Sequence, residues 1–136
     1  MDKLLKEKYL KQYKVELFDY CIPFWLKYGW DKQFGGLLNC LDEKGEVYSS
    51  DKSVWLQGRC AWMYAYLSNK FGKNDEFLSF SKSCLDFLDN HCFDKDGRMF
   101  FLVTREGKPL RKRRYYFSET FYVMAAIEYS LSPVAL

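Results

Sequence analysis

The apolar positions of this chain fall into four helical stretches separated by short strand-like runs, and one stretch dominates. From Val54 to Leu67 the residues are apolar on nearly every face, as in a helix enclosed by other elements. Ser53 stands where it could cap that helix, and Gly72 where it would end it. Gln57, Gly58 and Arg59 interrupt the apolar surface. An always-charged guanidinium is costly to bury unpaired, so either a carboxylate or a ligand is expected to face Arg59.

Before this inner helix, Leu10, Tyr13, Leu17, Cys21 and Phe24 recur at the spacing of an amphipathic helix that runs to about Tyr28, with Pro23 expected to kink or end it. Turn residues follow from Asp31 to Gly36. Leu37 to Leu41 and Glu46 to Tyr48 then read as a hairpin around Asp42-Glu43-Lys44-Gly45, and polar residues 49–52 lead into the inner helix. The order repeats. A helix from about Asp75 to His91 carries Phe77, Phe80, Cys84, Phe87 and Leu88 on one stripe. A strand from Arg98 to Thr104 follows, then a turn at 105–109, and a nearly all-apolar helix starts at Glu119 behind a second candidate cap, Ser118.

Ser53 and Ser118 lie 65 residues apart, and each closes the sequence of outer helix, hairpin and inner helix. Such a period marks stacked units that cannot cover their apolar faces alone. Two units are too few to close a ring. The chain therefore reads as one segment, 1–136, with no internal domain boundary and as the beginning of something larger. Val54, Trp55, Trp62, Phe121, Val123 and Ile127 are not all expected to find cover within it.

Composition adds limits to this picture. The 136 residues suffice for one small domain, and 49% hydrophobic with 20% aromatic residues excludes a disordered chain. The rings serve a helix-rich core or a ring-binding wall. A net charge of +3 demands no polyanionic partner. Cysteines 21, 40, 60, 84 and 92 contain no C-x-x-C pair, a usage that fits reduced thiols in the cytoplasm. No export signal, membrane-spanning segment or metal-ligand spacing is visible. The basic run Arg111-Lys112-Arg113-Arg114 is either a patch for phosphate or nucleic acid, a kind of cluster also read as a nuclear signal, or a solvated hairpin edge kept from aggregating by its charges.

Taken in order, Phe24-Trp25, Gly35-Gly36, Val54-Trp55-Leu56-Gln57-Gly58-Arg59 with Trp62-Met63-Tyr64, Val103-Thr104-Arg105-x-Gly107-x-Pro109 and Phe117-Ser118-Glu119-x-Phe121-Tyr122-x-Met124-Ala125 resemble the N-terminal third of the N-acylglucosamine 2-epimerase (renin-binding protein) family. The resemblance implies an all-α fold: a partial (α/α)6 barrel with about four of twelve helices and two short β-hairpins between outer and inner helices. It also implies interconversion of N-acetylglucosamine and N-acetylmannosamine, a small-molecule amino sugar as ligand, a homodimer in the full-length form, and protease (renin) binding. No cofactor or metal is implied for the chemistry, although ATP or another nucleotide acts as an effector in such proteins. Neither nucleic acid nor membrane is an expected partner.

Inverting C2 of a 2-acetamido sugar needs one acid/base group on each face and a cation for the enolate oxygen. By the resemblance, Arg59 is that cation, and Phe117, Glu119 and Tyr122 line the sugar site. The acid/base pair would be two histidines later in the barrel. This chain has one His, His91, whose place at a helix C-terminus suits an imidazole on structural grounds alone. The chain by itself is therefore expected to be inactive. An Arg59–Glu119 ion pair is the structural alternative for both residues, and Arg111, Lys112, Arg113 and Arg114 are where an effector would be sought. Two other functions stay open: a non-catalytic truncated product or interaction module, and a carbohydrate hydrolase or lyase on the same barrel using carboxylates such as Asp51 and Glu119.

Overall fold

The structure is a computed structural model that describes residues 2–112 and 116–133. It has four long helical rods and two small sheets, in the order that the sequence pattern requires. The first outer helix covers 3–29, the first inner helix Val54–Phe71, the second outer helix Asp75–His91 and the second inner helix Phe117–Ser130. The arrangement is a partial (α/α)6 barrel. Pro23 does not end the first rod. The turns Glu16–Cys21 and Trp25–Gly29 on either side of it widen to i→i+5 hydrogen bonding, which relieves the clash that a proline ring makes with the preceding turn.

Gly72, at φ 108°, stops the first inner helix, and the Asn74 side chain then accepts from Phe77 N at 3.0 Å to start the next. The two serines do not cap. Ser53 holds the N-cap position, but its buried hydroxyl makes no cap bond, and the first helical amide, that of Val54, is held instead by Phe101 O at 3.0 Å. The second inner helix starts at Phe117 rather than Glu119. Ser118 thus lies inside its first turn and donates to Phe100 O at 3.1 Å.

The strands are shorter than the apolar runs suggest. β1 (Cys40–Leu41) pairs with β2 (Val47–Ser49) in the first hairpin. β3 (Lys52–Ser53), which the polar sequence gave no reason to expect, pairs antiparallel with β4 (Leu102–Val103), and β4 with β5 (Pro109–Arg111). A strand of the first unit is therefore stitched into the hairpin of the second. This pairing buries Val54 completely against Phe87, Leu88, Met99 and Val103, so it is not among the uncovered residues.

Beneath the sheet, Asp31 is fully buried. It takes both ends of the Arg105 guanidinium at 2.9 and 3.0 Å, Lys52 Nζ at 2.9 Å, and the amides of Gln33 and Phe34. Lys52 is itself buried, its ammonium shared with the carbonyls of Gly35 and Arg105 and lying 4.2 Å from the Phe87 ring. Burial alone would raise the Asp31 pKa. The hydrogen bonds from Arg105 and Lys52 outweigh it and hold the carboxyl well below the usual carboxylate range.

The two inner helices and the second outer helix share the main core around Tyr64, Phe80 and Cys84. Two faces stay uncovered. Residues 3–15 of the first helix bury nothing, so its predicted stripe is open at Leu10 and Tyr13. On the second inner helix Val123 is 52% and Ile127 57% exposed, with Phe117 at 63%. Light scattering on the 136-residue chain should accordingly report self-association rather than a compact monomer.

Asp31→Asn removes the anion from beneath two cations and should cost about 3–5 kcal/mol at pH 7. A carboxylate with a depressed folded-state pKa adds stability above its unfolded value of about 4 and loses it as pH falls. Melts from pH 7 to pH 3 should therefore show the wild-type advantage shrinking towards the acid end, and a constant gap would contradict this assignment.

Candidate functional site

An α-helix turns about 100° per residue, so Gln57, Gly58 and Arg59 address three different neighbours. Gln57 is buried and spends its amide on one residue: Oε1 accepts from Leu37 N at 2.6 Å and Nε2 donates to Leu37 O at 2.9 Å. Gly58 meets the second inner helix so closely that a Cβ there would lie 2.9 Å from the Phe121 backbone. Arg59, next along, turns out of the core. It is exposed, with its guanidinium 5.4 Å from the Phe121 ring and 5.8 Å from the Trp55 ring.

No carboxylate lies within ion-pair distance of Arg59 among the described residues. The Glu119 alternative fails because Glu119 is engaged elsewhere: it accepts from Met99 N at 3.1 Å and faces Arg98 Nε at 3.6 Å. Arg59 instead borders a cleft of about 520 Å³ between the inner helices and the first hairpin. Trp25, Leu56, Trp62, Phe121 and Met124 supply apolar walls, and Asn39 adds a second polar side chain. An unpaired cation beside aromatic faces suits a ring with one apolar side and oxygens on its rim.

The other expected site residues do not gather at this cleft. Phe117 is exposed one turn before Phe121, on the helix that carries both. Tyr122 points towards the second outer helix, donating to Asp89 Oδ1 at 2.7 Å, and that bond, helped by burial, raises its phenol pKa. In the basic run, Lys112 is neutralised by Asp94 and Asp96 at 2.6 and 2.7 Å, Arg111 lies 5.8 Å from the Phe101 ring, and Arg113 and Arg114 lie outside the described residues. His91 lies tilted beside Phe87, with ring centroids 5.0 Å apart, and against Gly107. Among the described residues no group of His, Cys, Asp or Glu could hold a metal ion.

A larger groove, about 630 Å³, runs along the second outer helix past Ser79, Lys82, Asp86 and Asn90. Phe34, Phe87 and Tyr129 give it rings, but its lysine is already paired with Asp86, so the Arg59 cleft, whose cation is unpaired among the described residues, is the better candidate. Sequence reasoning overlooked Asn39 and Met124 in that cleft. The five cysteines are all free thiols, and no helix of the described residues is long and apolar enough to cross a membrane.

Known proteins resemble the chain along nearly this whole length. The family described as N-acylglucosamine 2-epimerase (GlcNAc 2-epimerase) matches residues 27–133. The N-acylglucosamine 2-epimerase of Bos taurus is 38% identical over 114 residues, which are 81% of this chain and 27% of that protein. A cellobiose 2-epimerase of Ruminococcus albus is 30% identical over 122 residues, 88% of this chain and 31% of its own length. Among solved structures, a sugar epimerase from a ruminal bacterium superposes with a TM-score of 0.78 at 30% identity, over 88% of this chain and 31% of its own. The cellobiose 2-epimerase of Spirochaeta thermophila DSM 6192 gives 0.81 at 23% identity, over 96% and 32%, a likeness of fold alone. The chain thus spans under a third of the relatives it matches.

The Gly58–Phe121 contact that sets the cleft wall is testable directly. Gly58→Ala gains about 1 kcal/mol of helix propensity but overpacks against backbone that has no flexible end to yield. A net loss of about 1–2 kcal/mol is expected in denaturant melts; an unchanged or raised midpoint would show that the inner helices part easily.

Proposed function

The chain belongs to the N-acylglucosamine 2-epimerase family, and from that premise we propose that it carries the enolate-stabilising part of a sugar 2-epimerase site, acting on an N-acylated hexosamine such as N-acetylglucosamine or N-acetylmannosamine. The observation that supports this reading is Arg59. It is an exposed cation with no carboxylate partner among the described residues, at the rim of an aromatic-walled cleft. Removing the C2 proton of the ring-opened sugar leaves negative charge on the adjacent oxygen. A fixed guanidinium meets that charge only as it forms, which is where binding energy accelerates a reaction.

The proton itself must be taken from one face and returned on the other by two groups that the described residues do not offer at the Arg59 cleft. The chain's one histidine closes the second outer helix, beside Phe87 and Gly107, and does not line that cleft. We therefore read the catalytic pair as belonging to the remaining two-thirds of the family's length, and the chain alone as a partner in binding without turnover. Phe117 would extend the aromatic wall. Glu119 would act by fixing the start of its helix through Met99 N, and Tyr122 is the weaker contact. Glu119's engagement also weakens a hydrolase reading, which needs two free carboxyl groups. No cofactor is needed for the chemistry. A nucleotide effector would meet Arg111 rather than the already neutralised Lys112. By family membership the full-length form is taken to be a cytoplasmic homodimer, with protease binding a further proposed property.

The test is a chimera in which residues 1–136 replace the matching segment of the bovine relative. It should convert N-acetylglucosamine to N-acetylmannosamine, and residues 1–136 alone should not. In that chimera Arg59→Ala should lower kcat about 100-fold or more with a smaller rise in KM, and Arg59→Lys should recover little of it, since a point charge lacks the guanidinium fork. Retention of full kcat by Arg59→Ala would remove Arg59 from the chemistry.

A further inference from the structure

We propose that Asn39 is a specificity-determining residue of the Arg59 cleft, donating a hydrogen bond to an acceptor oxygen on the sugar's substituents. The inference rests on the sugar-binding reading above. Asn39 sits just before β1 and borders the same cleft as Arg59. Its amide orientation is fixed by chemistry: the Ser53 backbone N–H lies 2.9 Å away and can only donate, so the atom facing it must be Oδ1. Nδ2 is then turned the other way. It makes one contact, to Cys40 Sγ at 3.1 Å, a weak acceptor. The second amide proton has no protein partner among the described residues.

Held in this way, Asn39 is a pre-oriented donor, and Arg59 is a donor and a cation. With Oδ1 turned to Ser53, the unspent hydrogen-bonding capacity of these two groups is mainly N–H, so the ligand must bring acceptors. An acyl carbonyl or a hydroxyl oxygen satisfies them. A protonated 2-amino group does not, since it offers only N–H donors and is repelled by Arg59. The cleft should therefore take 2-acetamido and 2-hydroxy sugars and reject free 2-amino sugars, and Asn39 should contribute a large share of that choice. A site built to hydrogen-bond a substituent penalises the analogue that leaves its polar groups unpaired.

Asn39→Asp keeps the acceptor for Ser53 N–H and replaces the donor with an anion, so it changes the reading of the ligand with little change in shape. The chimera of residues 1–136 on the bovine relative and its Asn39→Asp form would be titrated by ligand-observed NMR with N-acetylglucosamine, glucose and glucosamine at mildly acidic pH, where the amine is protonated. The parent chimera should prefer N-acetylglucosamine over glucosamine about tenfold or more, and Asn39→Asp should weaken N-acetylglucosamine about tenfold and narrow or reverse that preference. Equal affinities for the two sugars in the parent chimera overturn the proposal whether or not the variant folds. A folded Asn39→Asp with unchanged affinities overturns it while leaving the sugar-binding reading intact. Absence of binding by any of the three sugars to the parent chimera overturns both.

Discussion

A single buried carboxylate fixes how the two halves of the chain meet. Asp31 belongs to the first unit, Lys52 to the strand that enters the first inner helix, and Arg105 to the turn of the second unit's hairpin. Buried ion pairs add little net stability over a well-packed apolar core, but they tolerate no misregistration, because any slip strands a charge without a partner. The β3–β4 register sets Lys52 opposite Val103, which lets its ammonium reach Arg105 O as well as Asp31. Moving β3 by one residue would turn Lys52 to the opposite face. Electrostatics and strand pairing therefore impose the same register. Because β3 runs directly into the first inner helix, that register also sets the rotation of the helix and the direction of Arg59.

The rotation matters because consecutive helical residues point 100° apart. With Gln57 locked to both polar groups of Leu37 and Gly58 pressed on Phe121, the helix has two independent anchors on adjacent faces. Arg59 then has no choice but the third direction, into the cleft. The residues that hold the site are thus the two immediately before it. Each depends on its type: a planar amide sets an acceptor and a donor side by side to match the N–H and C=O of one residue, and only a glycine admits a helix backbone so near.

Much of this could be read from the sequence, and the failures share a cause. The helices, the repeat and the stop at Gly72 follow from local periodicity and backbone freedom, which neighbouring residues determine. The capping roles of Ser53 and Ser118 are equally local inferences, and tertiary structure departs from both: the strand pairing at β3 leaves the Ser53 hydroxyl buried without a cap bond, and Phe100 O claims the Ser118 hydroxyl. Lys52 read as a solvated linker residue, because nothing local announces a carboxylate 21 positions earlier and a carbonyl 53 positions later. Arg59 stood out, since a charge within an apolar run has few explanations. Asn39 did not, since a lone Asn beside a strand is ordinary until its two ends are seen to face different things.

The cleft's second wall lies where the covered surface ends. Phe121 and Met124 border the cleft, while Val123 and Ile127 on the same helix are open to water. Any element that packs on Val123 and Ile127 must run close to Met124 and so draws water away from the Arg59 side as well. A charge–charge interaction strengthens as the surrounding dielectric falls, by severalfold between a wet surface and a partly dry interior. Arg59, with no carboxylate among the described residues to neutralise it, would pass that gain to whatever anion forms in the cleft. Covering the apolar face of the second inner helix and activating Arg59 are therefore one event, in which hydrophobic burial supplies the dry surroundings that the cation needs.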